Sequence, residues 1–226
     1  MLARVEGNQS SLSFSLLSVE HEFRVRGQLR TFKRHALLYS PGDQATHLFL
    51  VSAGEVKVSR YTKEGRELTL EHFGPGAIFG ETEILLETVR ESQAVARADV
   101  TVYAMEREAF RQMIETDCRF GFWLTRLMGE RQARLENRLE TLLFKSANGK
   151  VAQVLLDLAL EHGDRTDEGT LINYPITHQE IGNLIATTRE TVSYAFMEFR
   201  QLGLISTRQR KTIVRDLERL GEMALA

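Results

Sequence analysis

The chain has 226 residues, which at roughly 150 residues per domain allows one large domain or two small ones. Hydrophobic residues make up 42% and charged residues 27%, proportions that exclude wholesale disorder, collagen-like repeats and a membrane bundle. The 29 Lys and Arg against 31 Asp and Glu leave a net charge of -2, so the chain does not coat nucleic acid or an anionic membrane by bulk charge. Residues 1–14 carry charges and Gly7 where a signal peptide needs an unbroken apolar core, and no run of about 18 apolar residues occurs. With one cysteine, Cys118, an internal disulfide or a multi-thiolate metal site is excluded. The expected place is the reducing cytoplasm, with no membrane partner.

From residue 30 to about 105, apolar runs of strand length alternate with turn residues. Residues 36–39 are followed by Ser40-Pro41-Gly42-Asp43 and then by 48–51. After Gly54, Val56 and Val58 alternate with Lys57 and Ser59, which predicts a half-buried strand with the polar pair outward. Lys63-Glu64-Gly65 predicts a hairpin turn with Leu68 and Leu70 on one face of the returning strand, and Gly74-Pro75-Gly76 predicts another turn. Turn signals at about 8–12 residues point to a barrel or sandwich of antiparallel strands.

From residue 106 the period becomes helical, first over 106–115 and then over 120–144, with Gly121 and Gly129 as weak breakers. A helix of about 25 residues spans about 37 Å and needs something to pack against. Met128, Leu135 and Leu142 recur every seven residues with Leu124, Arg131 and Arg138 between them, so half of a coiled-coil seam is apolar and half cationic. Together with Leu127 and Leu139 the band is wider than one barrel face would use, which predicts pairing with a second copy. A helix lying on its own barrel is the alternative.

Ser146-Ala147-Asn148-Gly149 contains loop formers and marks a boundary, after which helix resumes over 151–161. The polar stretch 162–169 predicts an exposed loop or hairpin tip. Segments 179–185, 189–202 and 205–214 complete a small domain of helix, turn, helix and terminal hairpin. The fold class is therefore α+β, divided as 1–118, 119–146 and 147–226.

Within the last segment, Thr177 is a good N-cap and Glu180 completes a capping box. Thr187 or Thr188 caps the next helix. Ile181, Leu184, Ile185, Val192, Phe196 and Phe199 are spaced to meet between the two helices, as in a helix-turn-helix. In that motif the first turn of the second helix enters the major groove, and here it carries Arg189 and Glu190. Arg can bond guanine bidentately and Glu can accept from the cytosine amino group. Tyr194 lies one turn onward, and Arg208, Arg210 and Lys211 are expected to flank the helix as phosphate contacts.

Pro41-Gly42-Asp43, Gly54, Phe79-Gly80-Glu81, a long central helix and Arg189-Glu190-Thr191-Val192 follow one another in this order. On these residues the chain resembles the cyclic-AMP receptor protein/FNR superfamily of bacterial transcription regulators over nearly its whole length. The resemblance implies an N-terminal β-roll (a cyclic-nucleotide-binding-like jelly roll), a central dimerisation helix and a C-terminal winged helix-turn-helix. It also implies a homodimer whose recognition helices enter successive major grooves of near-palindromic promoter DNA. The dimer seam would comprise Leu124, Leu127, Met128, Leu135 and Leu142. Arg189 and Glu190 match the base-reading pair, while Thr177, His178 and Gln179 match phosphate contacts, joined by Thr188, Ser193, Arg208 and Lys211. Tyr194 stands where cyclic-AMP receptors carry a second arginine, so outer GT/AC-type bases are expected to be kept and the next position to change. The loop Asp164-Arg165-Thr166-Asp167-Glu168 resembles in position the surface with which activators touch RNA polymerase; a solvated hairpin tip is the plainer reading.

The implied effector pocket comprises Gly80, Glu81, Thr82, Arg90, Ser92 and Gln93, with Leu135 and Glu136 from the central helix. A cyclic nucleotide needs a carboxylate for its ribose and backbone N–H groups plus an Arg for its phosphate. Glu81 meets the first need. Ser92-Gln93, however, occupy the family's Arg-Ser position with Arg90 two or three residues early, and Leu135-Glu136 stand where cyclic-AMP receptors place Thr-Ser. The departures argue against cyclic AMP and favour a regulator competent without a ligand; a regulator that requires a cyclic-nucleotide-type ligand is the alternative. Cys118 alone supports no iron-sulfur cluster, and His21, His35, His47 and His72 are scattered singles that predict neither haem nor another metal.

An enzyme is not expected. The glycine-rich stretch 74–80 lies inside the strand pattern rather than opening a helix, and the P-loop, HExxH and GxSxG motifs do not occur. Glu81 and Glu83 read as one ligand contact and one solvated carboxylate. Residues 150–226 hold 9 basic and 11 acidic side chains, so affinity for DNA must come from placement. Arg189, Arg200, Arg208, Arg210 and Lys211 would share one side, with Asp164, Asp167 and Glu168 kept away from the duplex.

Overall fold

Alternating apolar residues in the N-terminal half pair into two antiparallel sheets in the computed structural model, which describes residues 16–208 and 211–225. Helix α1 (Leu16–Arg26) leads into β1 (Gln28–Phe32), β2 (Leu37–Tyr39), β3 (His47–Ala53), β4 (Val56–Tyr61), β5 (Glu67–Phe73) and β6 (Ile78–Phe79). A short α2 (Thr82–Leu85) precedes β7 (Gln93–Ala96) and β8 (Val100–Glu106), and α3 (Arg107–Thr116) and α4 (Cys118–Phe144) follow. The sheet orders are β1-β8-β3-β6 and β2-β7-β4-β5.

Strand β3 explains why its sequence reads as nearly unbroken apolar residues. Leu48 and Leu50 face a cluster with Phe110, Met113, Phe120 and Leu124, while Phe49 and Val51 face the space between the sheets. A strand buried on both sides has no solvent face to mark with polar residues. Between the sheets, Phe79 stacks on Phe49 at 5.1 Å and on Phe73 at 5.3 Å between ring centroids. Gly54 has φ +83, and a Cβ there would lie 2.4 Å from the Asp99 carbonyl, so the turn from β3 to β4 admits only glycine.

Two strand faces differ from the sequence expectation. Ser59 is fully buried rather than outward, and in β5 the buried residues are Thr69 and Phe73, with Leu68 and Leu70 only half-covered. The stacked ring of Phe73 fixes the phase of β5, and period two carries Thr69 inward with it.

The chain divides into two units, Met1–Arg60 with Leu70–Gln132 and Tyr61–Thr69 with Ala133–Ala226. The division falls inside α4, which sequence pattern alone sets apart as 119–146. In the first unit Phe120 and Leu124 of α4 are buried in the cluster beneath β3, and Leu127 and Met128 pack at its margin. In the second unit Leu142 packs on the C-terminal core. Leu124 and Leu142, expected in a seam between copies, are thus used within the chain. The exposed apolar residues of α4 are Phe122 at 69%, Leu135 at 57%, Leu139 at 47% and Leu143 at 71%. Arg131 and Arg138, the cationic positions of the expected seam, donate to backbone carbonyls of their own chain. Arg138 Nη2 donates to Thr69 at 2.6 Å and to Leu184 at 2.5 Å.

The second unit continues with α5 (Ala147–His162), β9 (Gly163–Thr166), β10 (Gly169–Ile172), α6 (His178–Leu184), α7 (Arg189–Gln201), β11 (Ile205–Arg208), β12 (Lys211–Val214) and α8 (Leu217–Leu225). Asn148 and Gly149 lie in the first turn of α5 rather than in a loop, because Ser146 caps the helix by accepting from Gly149 N at 3.0 Å. The four strands order as β11-β12-β10-β9. Helices α1 and α8, neither expected from sequence, carry buried Val19 and Phe23, and buried Leu220 and Ala224.

Phe199 is 0% exposed at the centre of the C-terminal core. Phe199→Ala is expected to cost about 3–5 kcal/mol, seen as a lower denaturation midpoint in urea.

Candidate nucleic-acid interface and effector pocket

Helix α6 begins with the predicted capping box. Thr177 Oγ1 accepts from Glu180 N at 3.2 Å while Glu180 Oε2 accepts from Thr177 N at 2.7 Å. Thr188 caps α7 by accepting from Thr191 N at 3.2 Å. Ala186 takes φ +53 in the connection, and a Cβ on Gly182 would lie 2.9 Å from the Thr187 carbonyl, so a small residue on α6 permits the close turn. Ile181, Val192, Phe196 and Phe199 seal the pair of helices from inside.

On the outside, Arg189, Glu190 and Tyr194 are exposed in the first turns of α7, Tyr194 at 69%. Thr177, His178, Gln179 and Arg189 line one concave pocket of about 400 Å³. The His178 ring lies 4.3 Å from that of Phe196, and its Nδ1 is 2.9 Å from Ser193 Oγ, which donates to the Arg189 carbonyl at 2.9 Å. Bonds from its own backbone N–H and the Thr188 hydroxyl hold the Glu190 carboxyl below the usual carboxylate range, so it remains an acceptor.

The flanking cations are arranged differently from expectation. Lys211 Nζ donates to Asn173 Oδ1 at 2.6 Å, and Arg210 lies outside the described residues. Arg208 is 3.6 Å from Glu168, so this part of the acidic tip is not segregated from the basic residues. Both partners are exposed, and a pair of this kind is weak and screened by salt.

Of the expected effector residues, Glu81, Arg90 and Ser92 are buried at 1%, 3% and 4%. Arg90 Nη1 donates to the Gly80 carbonyl at 2.7 Å and to Glu83 Oε2 at 2.9 Å, and its Nη2 donates to the His47 carbonyl. The guanidinium also sits 4.3 Å above the Tyr39 ring, whose hydroxyl is pushed up to about 12 by burial. Glu83, expected in solvent, is buried at 8% because it neutralises Arg90. From α4, Arg131 donates Nη1 to Glu81 Oε1 and Nη2 to the Ile78 carbonyl, and its guanidinium lies 5.2 Å from the Phe73 ring centre. Thr82 Oγ1 donates to Glu81 Oε1 at 3.3 Å. Glu81 Oε2 and Arg131 Nε are buried without partners, and burial pushes the Glu81 carboxyl up against the pull of Arg131.

Gly80, Glu81, Thr82, Arg90 and Ser92 thus share one neighbourhood, and Gln93 lies half-buried in β7. Leu135 and Glu136 are both exposed on α4, and the α4 residue that reaches Glu81 is Arg131. Sequence reasoning missed Arg131 and Tyr39. The available signal was an arginine recurring at seam positions, where a coiled coil prefers apolar residues. His47 and His72 are used structurally, His47 with Arg30 at 3.0 Å and His72 with Glu55 at 2.7 Å. Among the described residues no cluster of His, Cys, Asp and Glu is arranged to hold a metal, and no helix is long and apolar enough to cross a membrane.

Residues 29–117 match the cyclic nucleotide-binding domain family, and residues 149–223 match the Crp-like helix-turn-helix domain. A CRP-like cAMP-activated global transcriptional regulator of Mycobacterium tuberculosis is 31% identical over 193 residues, covering 85% of this chain and 86% of the relative. A cyclic AMP receptor protein of Thermus thermophilus is 32% identical, covering 87% and 88%. The chain belongs to the CRP/FNR family of transcriptional regulators. A CRP-family regulator of Thermus thermophilus superposes with a TM-score of 0.72 at 27% identity over 87% of this chain and 97% of the other. The c-di-GMP-responsive regulator of Xanthomonas campestris shares the fold, with a TM-score of 0.79 at 21% identity over 88% and 99%. The family consists of DNA-binding transcriptional regulators rather than enzymes.

Arg131→Met leaves the Glu81 carboxylate buried without its counterion and is expected to cost about 3–5 kcal/mol. The double variant Arg131→Met with Glu81→Gln is expected to recover most of that loss, and urea unfolding of the two proteins measures both effects.

Proposed function

We propose that this regulator binds near-palindromic promoter sites as a cytoplasmic homodimer and is competent to do so without a cyclic nucleotide. The observation that carries this reading is the state of the effector pocket. The two Nη atoms of Arg90 donate to Glu83 and to two backbone carbonyls, and Arg131 occupies one oxygen of Glu81. A nucleotide phosphate would meet Ser92 and Gln93 instead of a free arginine, and its ribose would have to compete with a buried ion pair. The donor set present does not fit a cyclic nucleotide.

Pairing of two copies is supported by Leu135, Leu139 and Leu143, which are exposed at four-residue spacing on α4. Arg189 and Glu190 read bases, Tyr194 reads the adjoining position, and Thr177, His178, Gln179, Thr188 and Lys211 meet phosphates, while Ser193 donates to the Arg189 carbonyl and positions His178. Arg208 meets a phosphate after exchanging its exposed partner Glu168. RNA polymerase is the protein partner, through the exposed tip between β9 and β10. A second reading, a regulator that requires a small effector, is favoured by the unpartnered Glu81 Oε2 and by relatives described as cAMP-activated.

Gel shifts of the purified protein with DNA selected from a random pool test the choice. Specific binding without nucleotide is expected, with less than about a twofold change on adding cyclic AMP; a gain of tenfold or more overturns it. Arg189→Ala is expected to remove about 1–3 kcal/mol of discrimination per half-site while leaving non-specific binding nearly unchanged. Leu139→Glu is expected to convert the dimer to a monomer in sedimentation velocity and to abolish binding to paired half-sites.

A further inference from the structure

Where the family resemblance would place a phosphate contact, this chain carries a histidine held in a defined chain of hydrogen bonds. Ser193 Oγ gives its proton to the Arg189 carbonyl at 2.9 Å, so it can only accept from His178 Nδ1 at 2.9 Å. The neutral ring is therefore held with its proton on Nδ1. Nε2 carries the lone pair, which cannot bond a phosphate oxygen until a second proton arrives. Phe196, with its ring centroid 4.3 Å away, backs the imidazole from inside, while Thr177, Gln179 and Arg189 complete the pocket that the ring lines.

We infer that His178 is a proton-linked phosphate contact, which takes up a proton at Nε2 as DNA docks, so that affinity for DNA rises as pH falls. The inference rests on the DNA-binding reading above and adds its proton dependence. The charged groups acting on the ring are Arg189 and Arg200, both on α7; Glu180 on its own helix is turned back onto Thr177. Burial and those two arginines hold the free ring below its ordinary value, so it is neutral at pH 7 without DNA. A phosphate in the pocket acts in the opposite direction and stabilises the imidazolium. Between the free and the bound titration points, each protomer takes up a proton on binding, and the association constant grows as pH decreases. Above both points there is no linkage.

The test uses a duplex enriched by the wild-type protein from a random-sequence pool at pH 8, with affinity measured by fluorescence anisotropy at constant ionic strength. Wild type is expected to bind about tenfold or more tightly at pH 5.5 than at pH 8. His178→Gln is expected to show no rise in affinity between pH 8 and pH 5.5, so the ratio of its two association constants stays near one. His178→Arg is expected to bind tightly at both pH values with a steeper salt dependence, by about one ion per protomer. Ser193→Ala frees Nδ1 and lets the neutral ring carry its proton on Nε2, so its pH dependence is expected to shrink although the histidine remains. A flat wild-type profile, or an undiminished slope in His178→Gln, overturns the inference while leaving DNA binding intact. Failure of the pool to yield any bound duplex overturns the DNA-binding reading itself.

Discussion

A carboxylate that is 1% exposed demands a counterion, and in this protein Arg131 of the central helix supplies it to Glu81. Removing either member leaves an uncompensated charge in the interior, which is far more costly than the pair itself. The α-helix carrying Arg131 is therefore tied to the β-roll by an ion pair, a bond to the Ile78 carbonyl and the face of Phe73. The same interaction places a guanidinium beside the carboxylate that the family resemblance assigns to a ligand.

Arg90 repeats the theme within the roll. Its neutralisation by Glu83, its two backbone acceptors and the underlying Tyr39 ring make it part of the wall. Two internal arginines thus satisfy the polar groups of the pocket, leaving Glu81 Oε2 and Arg131 Nε without partners. Arg131 and Arg138 point to carbonyls, while Leu135, Leu139 and Leu143 of α4 face solvent.

At the other end of the chain the constraint is one of placement. A C-terminal segment with 9 basic and 11 acidic side chains has no net attraction for DNA, so local geometry must concentrate positive and donor groups where the duplex lies. Capping by Thr177 and Thr188 points the starts of α6 and α7 outward, and the tight turn at Ala186 brings His178 and Arg189 to one pocket. Hydrogen bonding through Ser193 then couples the His178 ring to the helix that carries Arg189 and Glu190.

The sequence by itself determined what depends on near neighbours: the change from period two to helical period near residue 106, the capping box at Thr177 and Glu180, the helix-turn-helix and the exposed Arg189, Glu190 and Tyr194. These follow from local hydrogen bonding and side-chain spacing, which a linear reading can see. Only the tertiary structure decided which charges meet, because Glu81 and Arg131 are 50 residues apart and Thr69 and Arg138 are 69 apart. It also decided which leucines of α4 are already covered, and that Ser59 and Thr69 rather than Leu68 take buried places. Pairings of that kind are set by how the sheets and α4 pack in three dimensions, and no periodicity along the chain records them.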